Sequence, residues 1–286
     1  MDAKSTMVRA ASGSVYVLII VIACWIGEFG VTFLSALFAA LGVGEFRRMR
    51  FGHSPAVAYL SAFNALGAIL LSLSIYMYPI FLWLIWLLCR MIITIYSRQE
   101  HPEKIFAVDM CGQVYVGVPM AILTSMGYYC EELSMTCMPI LSIFILIWVN
   151  DTGAYLFGST LGRHKMFPRV SPKKSWEGFW GGCLCTIGVG ALIGWFDSPL
   201  SAEYLGNKEL FWALTGVVVC VASTFGDLFE SVIKRNLNIK DSGNLIPGHG
   251  GILDRIDSLL MVLPAVAVFL AFYVVILASM IGFAEL

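Results

Sequence analysis

Charge is scarce in this chain. Asp, Glu, Lys and Arg together make up 13% of its 286 residues, about half the share carried by a soluble domain. With 59% apolar residues and a mean hydropathy of +0.82, too few polar side chains remain to cover a water-facing surface, which excludes an ordinary soluble globule. An excess of positive charge is missing as well: the formal net charge is −1, which gives no support for a nucleic-acid partner. A cysteine metal framework is also lacking. Of the eight cysteines, Cys183 and Cys185 form a CxC inside an apolar run, with no second pair at zinc-like spacing, and they read as packing. Cys130 and Cys137 flank a short polar loop, and a disulfide between them is a hypothesis for an oxidising compartment. No internal repeat, low-complexity tract or soluble domain interrupts the chain.

What the chain does have is long apolar runs. A bilayer-crossing helix takes about 20 mostly apolar residues. By that measure about nine helices begin, near Val15, Glu28, Pro55, Tyr76, Ile105, Met138, Trp176, Leu210 and Ile252. The expected fold is therefore all-α, a polytopic integral membrane protein. The first run lacks a small-residue cleavage site and feeds into the next, so it reads as a retained helix and not a signal peptide. Residues 1–136 form an N-terminal group of transmembrane helices in this reading. Residues 137–286 form a catalytic transmembrane region with cytoplasmic loops at 160–175 and 234–251.

The charges support that count. With the N-terminus inside, Lys4, Arg9, Arg47, Arg48, Arg50, Arg98, Lys104, Arg163, Lys165, Arg169, Lys173, Lys174, Lys234, Arg235, Lys240 and Arg255 all fall on or beside cytoplasmic loops. Glu131, Glu132, Asp197, Glu203 and Glu209 fall outside, with Lys208 the one base among them. That asymmetry is the positive-inside pattern. Arg90 sits within the fourth span, near enough to its inner end to snorkel.

Ionised groups inside apolar runs mark the chemistry, because each costs about 2.5–3.5 kcal/mol at the bilayer centre unless it shares a polar cavity. Asp151 in IWVNDTGAY and Asp227 and Glu230 in STFGDLFES are such groups. Helical spacing puts Ser223, Asp227, Glu230 or Ser231, and Lys234 on one stripe. The chain then runs KRNLNIKDSGNLIPGHGGILDRIDS from Lys234 to Ser258. Its Pro247, Gly248, Gly250 and Gly251 break helix and let backbone approach a ligand. Asp254 and Asp257 follow at i, i+3 in a helix first turn, placed to hold a divalent cation against phosphate oxygens. Lys234, Arg235, Lys240 and Arg255 would neutralise the rest of a triphosphate. A third element, RHKMFPRVSPKKSWEG, sets Lys173 and Lys174 beside prolines, Trp176 and Glu177, which give the loop a defined shape. Arg163 and Lys165 fit an ordinary topology role equally well. His249 is the one histidine within a motif and reads as a phosphate hydrogen-bond donor.

The stretch from Ser231 to Asp257 resembles the signature of CDP-diacylglycerol synthases, the phosphatidate cytidylyltransferases. It supplies Ser231, Lys234, Arg235, Lys240, Asp241, His249, Gly250, Gly251, Asp254, Arg255 and Asp257 without departure from that pattern. The NDTGAY, SPKKSWEG and GDLFES stretches resemble the family too, and the likeness is strong from about Asn150 onward. The resemblance implies CTP and phosphatidic acid as substrates, Mg²⁺ as cofactor with room for a second cation, and a homodimer. It also implies metal ligation at Asp227 and Asp254. The positions of the charged residues themselves put the expected active site at the cytoplasmic membrane edge, with a bacterial inner membrane as the expected location. Asp227, Asp254, Lys234, Arg235, Asp241 and Asp257 are then the expected catalytic set. Asp151, Lys173, Lys174, Ser223, Ser231, Lys240, His249, Gly250, Gly251 and Arg255 are the expected substrate-binding set.

Two rival functions share some of these features. A CTP-dependent lipid kinase would use similar nucleotide machinery but transfer the γ-phosphate. A transporter would need polar residues through the full membrane thickness, whereas these gather toward one side.

Overall fold

The computed structural model describes residues 3–52, 54–132, 137–196, 206–246, 248 and 250–284. His249 lies outside these residues, as do Pro247, Asp197 and Glu203. Helices dominate: α1 Ala3–Ile26, α2 Glu28–Phe51, α3 Pro55–Ser72, α4 Tyr78–Ile95, α5 Pro102–Gly112, α6 Val118–Glu132, α7 Met138–Thr160, α8 Trp176–Phe196, α9 Lys208–Asn236 and α10 Leu253–Ala284. A π-helical turn, Gln113–Gly117, joins α5 and α6 into one apolar rod from Pro102 to Glu132. Pro119 accounts for that turn, because it donates no N–H and its ring crowds the carbonyl four residues earlier. Among the described residues, eight helical stretches are long and apolar enough to cross a membrane, and Ala11–Ile26 adds a shorter apolar one. The protein is an all-α polytopic membrane protein, as its apolar runs predict.

Packing divides the chain into two compact units. The first comprises residues 1–141 and 236–256. Here α2 is the central helix, packed against α1, α3 and α6, with Val31, Leu34, Phe38 and Val43 buried on α2 and Met120 and Leu123 buried on α6. Ser54 caps α3 by accepting from the Val57 N–H at 3.3 Å, with Pro55 at the first helical position. Arg90 does not snorkel. It is buried, donating from Nε to Asp109 Oδ2 at 3.0 Å, and Arg47 pairs with the other oxygen of the same carboxylate. A shared carboxylate gives both guanidiniums a counter-charge where water cannot reach, while Arg47 Nε has no hydrogen-bond partner among the described residues; the loop-charge reading of Arg47 did not foresee this. Cys130 and Cys137 are free thiols.

The second unit comprises residues 142–235 and 257–286. Its helices α7, α8 and α9 approach closely through glycine. A Cβ on Gly182 would stand 2.7 Å from Asn150 Oδ1, and one on Gly216 would stand 2.8 Å from the Thr186 carbonyl carbon. Between α7 and α8 the basic loop forms a hairpin, β1 Lys165–Phe167 with β2 Ser171–Ser175, pairing Lys165 with Ser175 and Phe167 with Ser171. A turn closes it, the Val170 N–H donating to the Phe167 carbonyl at 3.2 Å with Pro168 at the second position.

Candidate active site

The hairpin is fastened to α8 by its own first turn. Ser175 Oγ accepts from the Gly178 N–H at 3.2 Å, the capping role expected of serine before a helix. Glu177 folds back to accept the backbone N–H groups of Arg163 and His164, each at 3.1 Å, and meets His164 Nδ1 at 2.5 Å. Strand geometry sends Lys173 and Lys174 to opposite faces. Lys173 is exposed. Lys174 turns inward, its Nζ 2.7 Å from Asp227 Oδ2 and 3.1 Å from the Thr224 carbonyl, to which it donates.

Asp227 belongs to a cluster of acids. One oxygen each from Asp227, Glu230 and Asp257 lie within 4.8 Å of one another. Helical spacing puts Asp227 and Glu230 on one face of α9. Gly226 lets α10 come close, since a Cβ there would stand 2.9 Å from the Asp257 carbonyl oxygen. Ser231 donates to Asp227 Oδ1 at 3.3 Å, and Lys234 pairs with Glu230 Oε2 at 2.5 Å. The carboxylate of Asp151 also acts electrostatically on that of Asp257. Ser223 is buried and holds the frame, accepting from Asn150 Nδ2 at 3.3 Å while its carbonyl accepts from Ser258 Oγ at 3.4 Å. Three converging carboxylates supply only oxygen donors, the set a hard divalent cation prefers, so these residues fit Mg²⁺. Sequence reasoning gave Glu230 no ligand role; its place one helical turn from Asp227 was the available signal.

A different arrangement surrounds Asp254, in the first unit. Its Oδ2 accepts from the Ser242 and Gly251 N–H groups, each at 2.8 Å, and from Ser242 Oγ at 2.9 Å. The Asp254 N–H in turn donates to Ser242 Oγ at 3.3 Å. Gly250 has φ +82, and a Cβ there would meet Asp254 Oδ2 and come within 3.5 Å of Asp241 Cβ. Lys240, Asp241 and Arg255 are exposed in this unit, as Arg235 is in the second. One participant was missed altogether in the sequence. Glu45, buried on α2, accepts the Ile252 N–H at 2.8 Å and the hydroxyl of Ser242. The N–H groups of Gly251, Ile252 and Asp254 are therefore taken up by the chain itself. Any cradle for phosphate in this loop falls to other groups.

Span-length apolar helices carrying an oxygen-only acidic cluster, with lysines closing on it, define a polytopic membrane protein with a polar site set among its helices. The chain belongs to the cytidylyltransferase family, whose profile matches residues 7–273. Among similar proteins are the phosphatidate cytidylyltransferases of Staphylococcus epidermidis, 38% identical over 180 residues, and of Staphylococcus aureus, 37% identical over 180 residues. The S. haemolyticus protein of the same name is 36% identical over 177 residues. Each match covers 62% of this chain, which thus spans 64% of the length of these curated relatives.

Proposed function

We propose that the protein transfers the cytidylyl group of CTP to phosphatidic acid, yielding CDP-diacylglycerol and pyrophosphate for phospholipid synthesis. The observation that carries this reading is the Asp227–Glu230–Asp257 cluster with Lys174 and Lys234 on it. The names of the relatives favour these substrates.

The phosphomonoester of phosphatidic acid is largely ionised near neutral pH. One of its oxygens attacks the α-phosphorus of CTP, the bond from that phosphorus to the bridging oxygen breaks, and pyrophosphate leaves with the electron pair. No general base is needed, so positioning and charge neutralisation remain as the site's work. Asp227, Glu230 and Asp257 would hold Mg²⁺, and Asp254 is the further position that the family resemblance ties to metal. Bound there, the ion would supply Lewis-acid neutralisation of phosphate oxygens. Lys174 and Lys234 carry ammonium donors for the same oxygens, and Arg235 adds charge in the same unit; Lys240 and Arg255 are nucleotide-binding residues in the first unit on the strength of the family resemblance. Ser231 orients Asp227, and Ser223 holds α9 against α7 at this level.

The basic hairpin and the 234–251 loop favour a cytoplasmic site, with a cytoplasmic N-terminus and a bacterial inner membrane as the location. A homodimer accords with the family resemblance. Cysteines introduced at Lys173 and Asn244 are then labelled only from the cytoplasmic side. The deciding experiment supplies purified protein in lipid with CTP, phosphatidic acid and Mg²⁺ and identifies products by mass spectrometry. CDP-diacylglycerol with pyrophosphate supports the reading. CDP with a newly phosphorylated lipid would replace it by the kinase, and ion flux without nucleotide by the transporter.

A further inference from the structure

Glu45 is 3% exposed where the apolar part of α2 gives way to Arg47 and Arg48, and among the described residues the hydrogen bonds to its carboxylate come from the loop that precedes α10. A buried carboxylate is costly unless hydrogen-bonded, and Ser242 and Ile252 meet that need. The Ile252 carbonyl accepts from Arg255 N–H at 3.0 Å and Ile256 N–H at 3.2 Å, so Ile252 is the N-cap residue of α10. In a capping box the N-cap N–H is bound by a Glu or Gln at the third helical position. Arg255 stands at that position and offers no side-chain acceptor. A carboxylate from α2 takes its place at 2.8 Å.

The glycines of the loop divide accordingly. Gly248 and Gly250 have positive φ, at 76° and 82°, and answer to the backbone turn. Gly243 and Gly251 do not. A Cβ on Gly243 would stand 2.9 Å from Glu45 Cδ, and one on Gly251 would collide with Glu45 Oε1. Ser242 Oγ lies between Glu45 Oε1 and Asp254 Oδ2, its single hydrogen shared by the two carboxylates.

We infer that Glu45 is a positioning residue for the loop residues 241–246 and 250–252, holding them and the start of α10 in the conformation that receives the nucleotide. The fold of the loop rests on the contacts above, and its role with nucleotide rests on the cytidylyl-transfer reading. Glu45→Ala raises the KM for CTP about 10- to 100-fold, the range expected for loss of hydrogen bonds to a charged group. The KM for phosphatidic acid stays within about twofold. Glu45→Gln restores the CTP value to within about threefold, because its carbonyl still accepts from Ile252 and its amide donates to Ser242 Oγ. Glu45→Asp keeps the charge but falls short by one methylene, and so behaves like Ala. In parallel, hydrogen exchange of the 241–252 peptide accelerates in the Ala and Asp variants and not in the Gln variant, while α2 stays protected.

Wild-type KM for CTP in the Ala and Asp variants would overturn the inference. So would equal losses for both substrates without rescue by Gln, which is what a purely structural tie produces. Should the Ala variant fail to fold, the contrast between Asp and Gln decides the matter. A wild-type protein that makes no CDP-lipid overturns the proposed function instead, and the exchange measurement still tells whether Glu45 holds the loop.

Discussion

Lys174 closes on Asp227, its ammonium nitrogen 2.7 Å from Oδ2, while its neighbour Lys173 faces solvent. In the sequence the two lysines are interchangeable. On strand β2 they are not, because adjacent side chains point to opposite faces. Lys174→Ala therefore lowers kcat/KM for CTP by about 10- to 100-fold, the loss of a charge-assisted contact. Lys173→Ala costs less than about threefold, as for an exposed charge. Steady-state kinetics of CDP-lipid formation checks the pair, and equal losses in both variants would show that the strand does not separate them in function.

The three acids act as one site. Asp257→Asn, Asp227→Asn and Glu230→Gln each weaken Mn²⁺ binding, read by electron paramagnetic resonance on protein in detergent without substrate. In activity the single losses are large and the double variants are little worse, since residues acting as a unit are non-additive. Roughly additive losses, with Mn²⁺ binding unchanged, would return the acids to a role as partners for Lys174 and Lys234.

A buried ion-pair network lies elsewhere, where Asp109 of α5 pairs with Arg47 of α2 and Arg90 of α4. Asp109→Asn leaves two buried guanidiniums without a counter-charge, for which about 3–5 kcal/mol is typical. The expected outcome is a clear fall in melting temperature in detergent, with the KM for CTP unchanged in the protein that remains folded. A melting temperature equal to wild type would contradict this.

Glu177 is expected to matter through the hairpin. Glu177→Ala removes the acceptor for the Arg163 and His164 N–H groups and frees the entry to β1. Trypsin should then cut after Arg163 or Lys165 faster than in wild type, and kcat/KM should fall with the loosening of Lys174. An unchanged cleavage rate would mean that strand pairing alone holds the hairpin.

Much of the fold was legible because helix position is written locally. The runs near Glu28, Pro55, Met138 and Trp176 begin where α2, α3, α7 and α8 begin, since prolines, charged flanks and the length of apolar runs are all local signals. The approach of Ser231 to Asp227 was visible for the same reason, being an i, i+4 relation on one helix. Glu45 was not visible. It meets Ser242 across 197 residues of sequence, and no periodicity in α2 or in the loop encodes a partner at that distance. Asp109 was overlooked likewise: a lone acid in an apolar run shows that a partner must exist, not that two arginines from separate helices share it. The hairpin also escaped, because three- and five-residue strands rich in lysine and proline carry no apolar alternation.

The most direct test follows the fate of one phosphorus atom. Purified protein in phosphatidic acid vesicles with Mg²⁺ is given CTP labelled at the α- or the γ-phosphate, and the lipid fraction is counted. The account predicts α-label in lipid, γ-label only in soluble pyrophosphate, and loss of lipid labelling in Asp257→Asn. γ-Label in the lipid, or α-label undiminished in Asp257→Asn, would contradict it.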